Sequence, residues 1–220
     1  MIGIVVALYN EAKKVINLTN ASEKPAKINK KLYFGKLKKK DFVLIISGIG
    51  KVNAALSTQF LIDNFDIEYI LNFGSVGGID GKTEICSYYA VAKCCQYDFD
   101  LSVLDNVPVG YIQDYDTVYF YPSADKSDFL PKANLATSDR FTAKKTDIDT
   151  VKALDCEIFD MEGGAIAEVC VANSVPFYLI KGVTDTHGSG NDADAFYKNL
   201  NKVCEGFYDI ILKLINECKA

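Results

Sequence analysis

The run IGIVVAL at Ile2–Leu8 carries no polar side chain. A strand with one wet face alternates apolar and polar residues. One that is apolar throughout must be covered on both faces, which is the condition of a buried strand in an α/β sheet. Tyr69–Phe73 reads as another buried strand and Cys86–Cys95 as a longer apolar one. Leu135–Asp139, Glu157–Met161 and Phe177–Val183 are further short strands. Lys31–Lys38 alternates more and is followed closely by Phe42–Ser47, the pattern of a meander returning into the sheet. Helical spacing follows a Gly-rich turn at Val52, Ala55, Leu56, Gln59 and Phe60. It returns near Lys144–Leu154 and Gly163–Ala172, and along a last stripe of Phe196, Leu200, Val203, Phe207, Ile210, Ile211 and Leu214. No repeat or composition shift marks a linker. The expected architecture is a single α/β domain over residues 1–220, with a central mixed β-sheet flanked by helices.

Composition narrows the function classes. The net charge is −5, and the only short basic run, KLKKK at Lys36–Lys40, reads as a solvated hairpin edge. Nucleic acid is therefore not expected as a partner. No stretch approaches the roughly 18 consecutive apolar residues of a membrane span, so no membrane association is expected. The opening MIGIVVALYNE lacks a basic leader region and a cleavage site, and reads as a first strand. Seven cysteines, an odd number with no C-x-x-C pair, stand beside one histidine. That favours reduced, buried thiols in a cytoplasmic protein, with no disulfide framework and no metal site.

The unusual residues fall at strand exits, where open α/β sheets place their ligands. Glu11 follows the first strand, GSVGG (Gly74–Gly78) follows Tyr69–Phe73, Glu162 follows Glu157–Met161, and Asp185 follows Phe177–Val183. Acids and a glycine loop meeting there suit a small, polyhydroxylated substrate. Each also has a plain structural reading. Glu11 fits an acid in the first turn of a short helix, Asp185 a turn in TDTHGSG, GSVGG a tight turn, and His187 a loop residue. Glu162, in IFDMEGGAIAEV, fits an exposed helix start less well, because Met161 precedes it and Gly163–Gly164 follow. GIGKVNA (Gly48–Ala54) imitates a dinucleotide fingerprint after a strand, yet the acid expected at the end of the next strand is replaced by Asn72–Phe73.

Taken together, IGIVVALYNEAKKV, SGIGKVNAA, NFGSVGGI, TSDRF, DMEGGAIAEVC and VTDTHG resemble the nucleoside phosphorylase/nucleosidase family over nearly the whole chain. The resemblance is strongest to its branch acting on adenine nucleosides with a 5′-thio substituent, such as 5′-methylthioadenosine and S-adenosylhomocysteine. It implies hydrolysis of the N-glycosidic bond without a cofactor, with water as co-substrate. Glu11 would activate the water. Met161 and Glu162 would line the ribose, with the Glu162 carboxylate taking both hydroxyls. Phe141 would stack on the purine and the Thr142 backbone would address its edge. Asp185, steadied by Thr184, would protonate N7. Ser75 and Ile49 would complete the sugar side, and Asp160 would give support from behind. Leu101 and Leu104 would come from the neighbouring subunit of a homodimer.

That chemistry needs these residue types. The bond breaks through an oxocarbenium-like sugar, and adenine leaves poorly unless protonated, so an acid is needed at the base and a base at the anomeric face. Hydrolysis is preferred over phosphorolysis because the phosphorylase branch clamps phosphate with arginines where this chain has YNE and Asn72. A glutamate there repels phosphate. Two places depart from the family pattern, both at the 5′ end. Ala193, with Phe196 close by, and the Leu101/Leu104 pair stand where aromatics are expected. The family's basic residue on the last inner strand is Lys181. Other hydrolytic substrates, futalosine-like or 5′-deoxyadenosine, and a non-catalytic nucleoside-binding module are the alternatives.

Overall fold

The computed structural model describes residues 1–142, 144–187 and 192–216; Cys218, Gly188 and the side chain of Ala193 lie outside the described part. The strands are β1 (Ile2–Val6), β2 (Ser22–Lys24), β3 (Lys31–Leu37), β4 (Lys40–Ile46), β5 (Tyr69–Ile79), β6 (Tyr88–Gln96), β7 (Lys132–Thr137), β8 (Ile158–Asp160) and β9 (Phe177–His187). The α-helices are α1 (Tyr9–Leu18), α2 (Lys51–Asn64), α3 (Ser102–Asp105), α4 (Lys145–Ala153), α5 (Gly163–Ala172) and α6 (Asp192–Asn216).

The sheet is mixed, as its sequence suggests. Strand β1 runs parallel to β4 on one side and β5 on the other, and every residue of β1 is buried. Its alternate side chains enter different layers. Val5 packs with Leu61 of α2 and Ile166 of α5, whereas Ile4 and Val6 pack with Val15 of α1 and Phe207 of α6. The KLKKK run forms the β3–β4 hairpin corner, where Lys36 pairs with Asp41 at 2.9 Å.

Two strands are longer than their sequence pattern indicates. GSVGG is not a loop after a strand: it lies inside β5, which continues to Ile79. Strand β9 likewise runs past Val183 to His187, so Thr184 and Asp185 are strand residues and not part of a turn. The reason is pairing. The far half of β5 runs beside β9 in parallel, and Gly77 and Gly78 also pair antiparallel with Phe159 and Ile158 of β8. Gly77 has no room for a side chain, because a Cβ there would overlap the Phe159 ring. Since β9 also pairs with β6, the strands β5–β8–β7–β6–β9 close on themselves. This closure brings the strand exits to one rim. Among the described residues no helix is long and apolar enough to cross a membrane.

Candidate active site

A cavity of about 570 Å³ opens at that rim. Glu11, Ser75, Glu162, Met161, Asp185, Phe141, Thr142 and Ile49 all line it. Thr184 does not line it but holds Asp185 from behind. Leu101 is half-buried and Leu104 exposed at the short helix α3, and neither lines the cavity of its own chain. His187 closes β9 outside the cavity lining.

Glu11 is both a helix-start acid and a cavity acid. It sits in the first turn of α1, where its Oε2 accepts the Leu8 N–H at 3.1 Å. Its Oε1 accepts both the backbone N–H and the hydroxyl of Ser75, each at 2.7 Å. Burial pushes the carboxyl above its ordinary value, against the pull of Ser75, Leu8 and Lys181. A carboxylate of raised basicity held by fixed donors is suited to take a proton from water.

Glu162 occupies the N-cap position of α5, yet its side chain makes no capping bond. Its Oε1 instead accepts the Gly50 N–H at 2.9 Å, at the start of α2. Gly50 has φ of +99°, a backbone that favours glycine. The GIGKVNA segment is thus a helix N-terminus that attracts an anion, and the anion is the protein's own carboxylate. The next N–H, of Lys51, is taken by Asp139 at 2.7 Å. Sequence reading missed Gly50 as a site residue; its signal was the G-x-G resemblance to a phosphate loop.

Capping of α5 falls to other residues. Asp160 Oδ2 accepts the Gly163 N–H at 2.9 Å, and the Thr137 hydroxyl accepts the Gly164 N–H at 2.7 Å while donating to Asp160 Oδ1 at 2.6 Å. Beneath them the Lys181 ammonium donates to Asp160 Oδ2 at 2.7 Å and to Asn72 Oδ1 at 2.6 Å. Asn72 in turn donates to the Val5 carbonyl at 2.9 Å. Here Lys181 and Asn72 form the floor under the carboxylates, a role invisible in the sequence.

Asp185 owes its aim to a bulge. Val76 pairs with Val183 but Gly77 pairs with Asp185, leaving Thr184 as the extra residue. Bulges re-aim side chains. The Thr184 hydroxyl donates to Asp185 Oδ1 at 2.7 Å and lies 3.1 Å from the Val76 carbonyl, while Asn199 of α6 donates to the Thr184 carbonyl at 2.8 Å. Phe141, also in the lining, is half exposed and stands edge-on to Phe196, ring centroids 6.1 Å apart. Thr142 is buried, its hydroxyl 2.7 Å from that of Tyr97. Arg140, Phe159, Asp160, Phe196, Tyr197 and Leu200 are also among the lining residues.

A family model described as "Phosphorylase superfamily" matches residues 1–216. The chain belongs to the phosphorylase superfamily. Within that superfamily it is 30% identical over 226 residues to a 5′-methylthioadenosine/S-adenosylhomocysteine nucleosidase of Staphylococcus carnosus, covering 98% of this chain and 99% of the relative. A protein of the same description from Buchnera aphidicola subsp. Schizaphis graminum is 31% identical over 212 residues, 90% of this chain and 89% of that one. These relatives put the chain in the nucleosidase branch. The adenine-bound nucleosidase structure from Colwellia psychrerythraea superposes with a TM-score of 0.89 at 25% identity, covering 98% of this chain and 94% of that one. A futalosine hydrolase of Helicobacter pylori has the same fold, with a TM-score of 0.89 at 22% identity over 98% of this chain and 97% of that one.

In this phosphorylase-superfamily site the buried Glu162 costs stability at alkaline pH. The Glu162 carboxyl is pushed up to about 8, first by burial and then by Asp160; Gly50 and Lys181 oppose this, and Glu11 adds to it. An acid raised above its unfolded value of 4.5 contributes stability that is fully present below that value. The contribution is lost as pH rises through about 8. Glu162→Gln keeps an acceptor for Gly50 and removes the penalty. The variant is expected to match the parent near pH 4 and to exceed its stability at pH 9, by a few kcal/mol at most. Denaturant midpoints across that range test this. A stability difference that does not change with pH contradicts it.

Proposed function

We propose that the chain hydrolyses the N-glycosidic bond of adenine nucleosides bearing a 5′-thio substituent, 5′-methylthioadenosine and S-adenosylhomocysteine, releasing adenine and the thioribose. The observation that carries this reading is the arrangement of three buried carboxylates, Glu11, Glu162 and Asp185, around one cavity with an aromatic wall at Phe141. Glu11 takes a proton from the attacking water. Glu162 accepts the 2′- and 3′-hydroxyls and opposes the positive charge that develops on the sugar. Asp185 delivers a proton to N7 as the bond breaks. Phe141 stacks on the purine, the Thr142 backbone meets its edge, and Met161, Ser75 and Ile49 enclose the ribose.

Water rather than phosphate is the acceptor in this reading. Lys181 is committed to Asp160 and Asn72, and Arg140 pairs with Asp147 at 3.0 Å. A dianion beside Glu11 would meet a carboxylate and no uncommitted cation from either residue. The free thiols of the described cysteines fit a reducing, cytoplasmic setting. Chromatography of a panel tests the substrate: 5′-methylthioadenosine, S-adenosylhomocysteine, 5′-deoxyadenosine, inosine and a futalosine-type nucleoside. Adenine release should be fastest from the two 5′-thio compounds. Faster cleavage of another member overturns the substrate, and no cleavage at all overturns the enzyme.

The exposed Leu104 and half-buried Leu101, outside their own cavity, are read as the wall that a second copy receives in a two-fold homodimer. Light scattering at assay concentration should give twice the chain mass. Leu104→Asp should lower affinity for the 5′-thio substrates while leaving 5′-deoxyadenosine less affected. A fully active monomer rules out the shared wall.

A further inference from the structure

Lys181 lies 1% exposed in the centre of β9, and its ammonium bridges the side chains of Asn72 on β5 and Asp160 on β8. Asn72 reaches on to the Val5 carbonyl of β1, the strand whose exit leads to Glu11. Asp160 reaches on to the Gly163 N–H of α5, the helix whose cap position is Glu162. One cation therefore ties together the strand ends that deliver these carboxylates. Its ammonium bonds to Asn72 and Asp160 rather than to Glu11 or Glu162 directly.

We propose that Lys181 is a positioning residue for the hydrolysis proposed above: by neutralising Asp160 beneath the start of α5, it favours the ionised form of Glu162 and keeps that carboxylate aimed at the diol. The inference rests on the nucleosidase reading for its consequence in turnover, but not for its electrostatics.

Glu162 is surrounded by charge from several elements. Asp160 faces it from β8, Lys181 from β9 and Glu11 from α1, and the Gly50 N–H points at it from the start of α2. Asp185 and Arg140 share the cavity, and Asp139 lies against Gly50. Asp160 is two residues away and raises the proton affinity of Glu162, while Lys181 lowers it. Without the ammonium, the Asp160 charge acts on Glu162 unopposed. A glutamate that holds its proton accepts one fewer hydroxyl and gives no charge to the developing cation.

Carbon-13 NMR of labelled glutamate side chains, with the Glu162 signal assigned by its loss in Glu162→Gln, reads the titration directly and needs no turnover. Lys181→Met should move the Glu162 midpoint up by about 1–3 pH units, the range that one neighbouring charge produces. The acid limb of kcat/KM should move with it, about tenfold in kcat/KM at pH 7 for each unit. Lys181→Arg keeps the charge and should titrate as the parent. Removing one partner of a buried pair endangers folding, whereas replacing both is tolerated better. The cycle of Asp160→Asn and Asp160→Asn/Lys181→Met therefore gives a second test. Asp160→Asn alone should titrate below the parent, and the double variant close to it.

Equal midpoints in Asp160→Asn and the double variant overturn the proposal. So does a Lys181→Met midpoint equal to the parent's, or a Lys181→Arg midpoint that moves like that of Lys181→Met. If the parent releases no adenine, the nucleosidase reading fails, and the NMR cycle still decides what Lys181 does to Glu162.

Discussion

Asp185→Asn is expected to lower kcat on 5′-methylthioadenosine by about 10²–10⁴-fold, the contribution of a positioned general acid. Adenine is a poor leaving group until N7 is protonated. Asparagine has the same shape and still accepts the Thr184 hydroxyl, so the bulge that aims the residue is retained. The loss should shrink to a few-fold on a riboside whose leaving group departs as a stable anion, such as a nitrophenolate. A merely structural aspartate gives a different pattern. It would lower the melting temperature and slow both substrates alike. Measuring both substrates beside the melting temperature separates the two, and equal losses remove Asp185 from the acid role.

Glu162→Gln is expected to cost about 10²–10³-fold in kcat, the scale of removing one preorganised electrostatic contact to a transition state. A glutamine still fills the space and still accepts from Gly50, but it cannot accept two hydroxyls while opposing a cation. Discrimination against 2′-deoxynucleosides should weaken as well. In the parent, a substrate without the hydroxyl leaves a buried carboxylate unpaired, which is costly; a glutamine loses less. Because the same substitution is expected to stabilise the protein at alkaline pH, a loss of activity is not attributable to unfolding. Unchanged turnover on the ribonucleoside would return Glu162 to a helix-start acid.

The sequence showed the layers well and the ends of strands poorly. Ile2–Val6 reads as buried because every residue is apolar, and α6 reads as a helix because one stripe recurs at helical period. Gly74–Gly78 and Thr184–Asp185 look like turn chemistry because glycine and aspartate are turn residues. They are strand residues because β8 and β9 pair with the far half of β5, and pairing between distant segments leaves no local signature. The cavity acids stood out because carboxylates after apolar runs are unusual. What orients them did not stand out. Gly50 donates to a residue 112 positions away, and Lys181 joins Asn72 and Asp160 across two strands. Glu11 shows that the plain reading and the functional one are compatible: it occupies the first turn of α1 and lines the cavity as well.

The measurement closest to the central claim is the origin of the oxygen on the sugar product. The protein is incubated with 5′-methylthioadenosine in ¹⁸O-labelled water containing phosphate, and the products are weighed by mass spectrometry before the free sugar exchanges its anomeric oxygen. If Glu11 activates water at the anomeric carbon, adenine appears with a free 5-methylthioribose carrying one heavy oxygen, at a rate that phosphate does not change. A 5-methylthioribose 1-phosphate without the label, formed only when phosphate is present, would contradict the account.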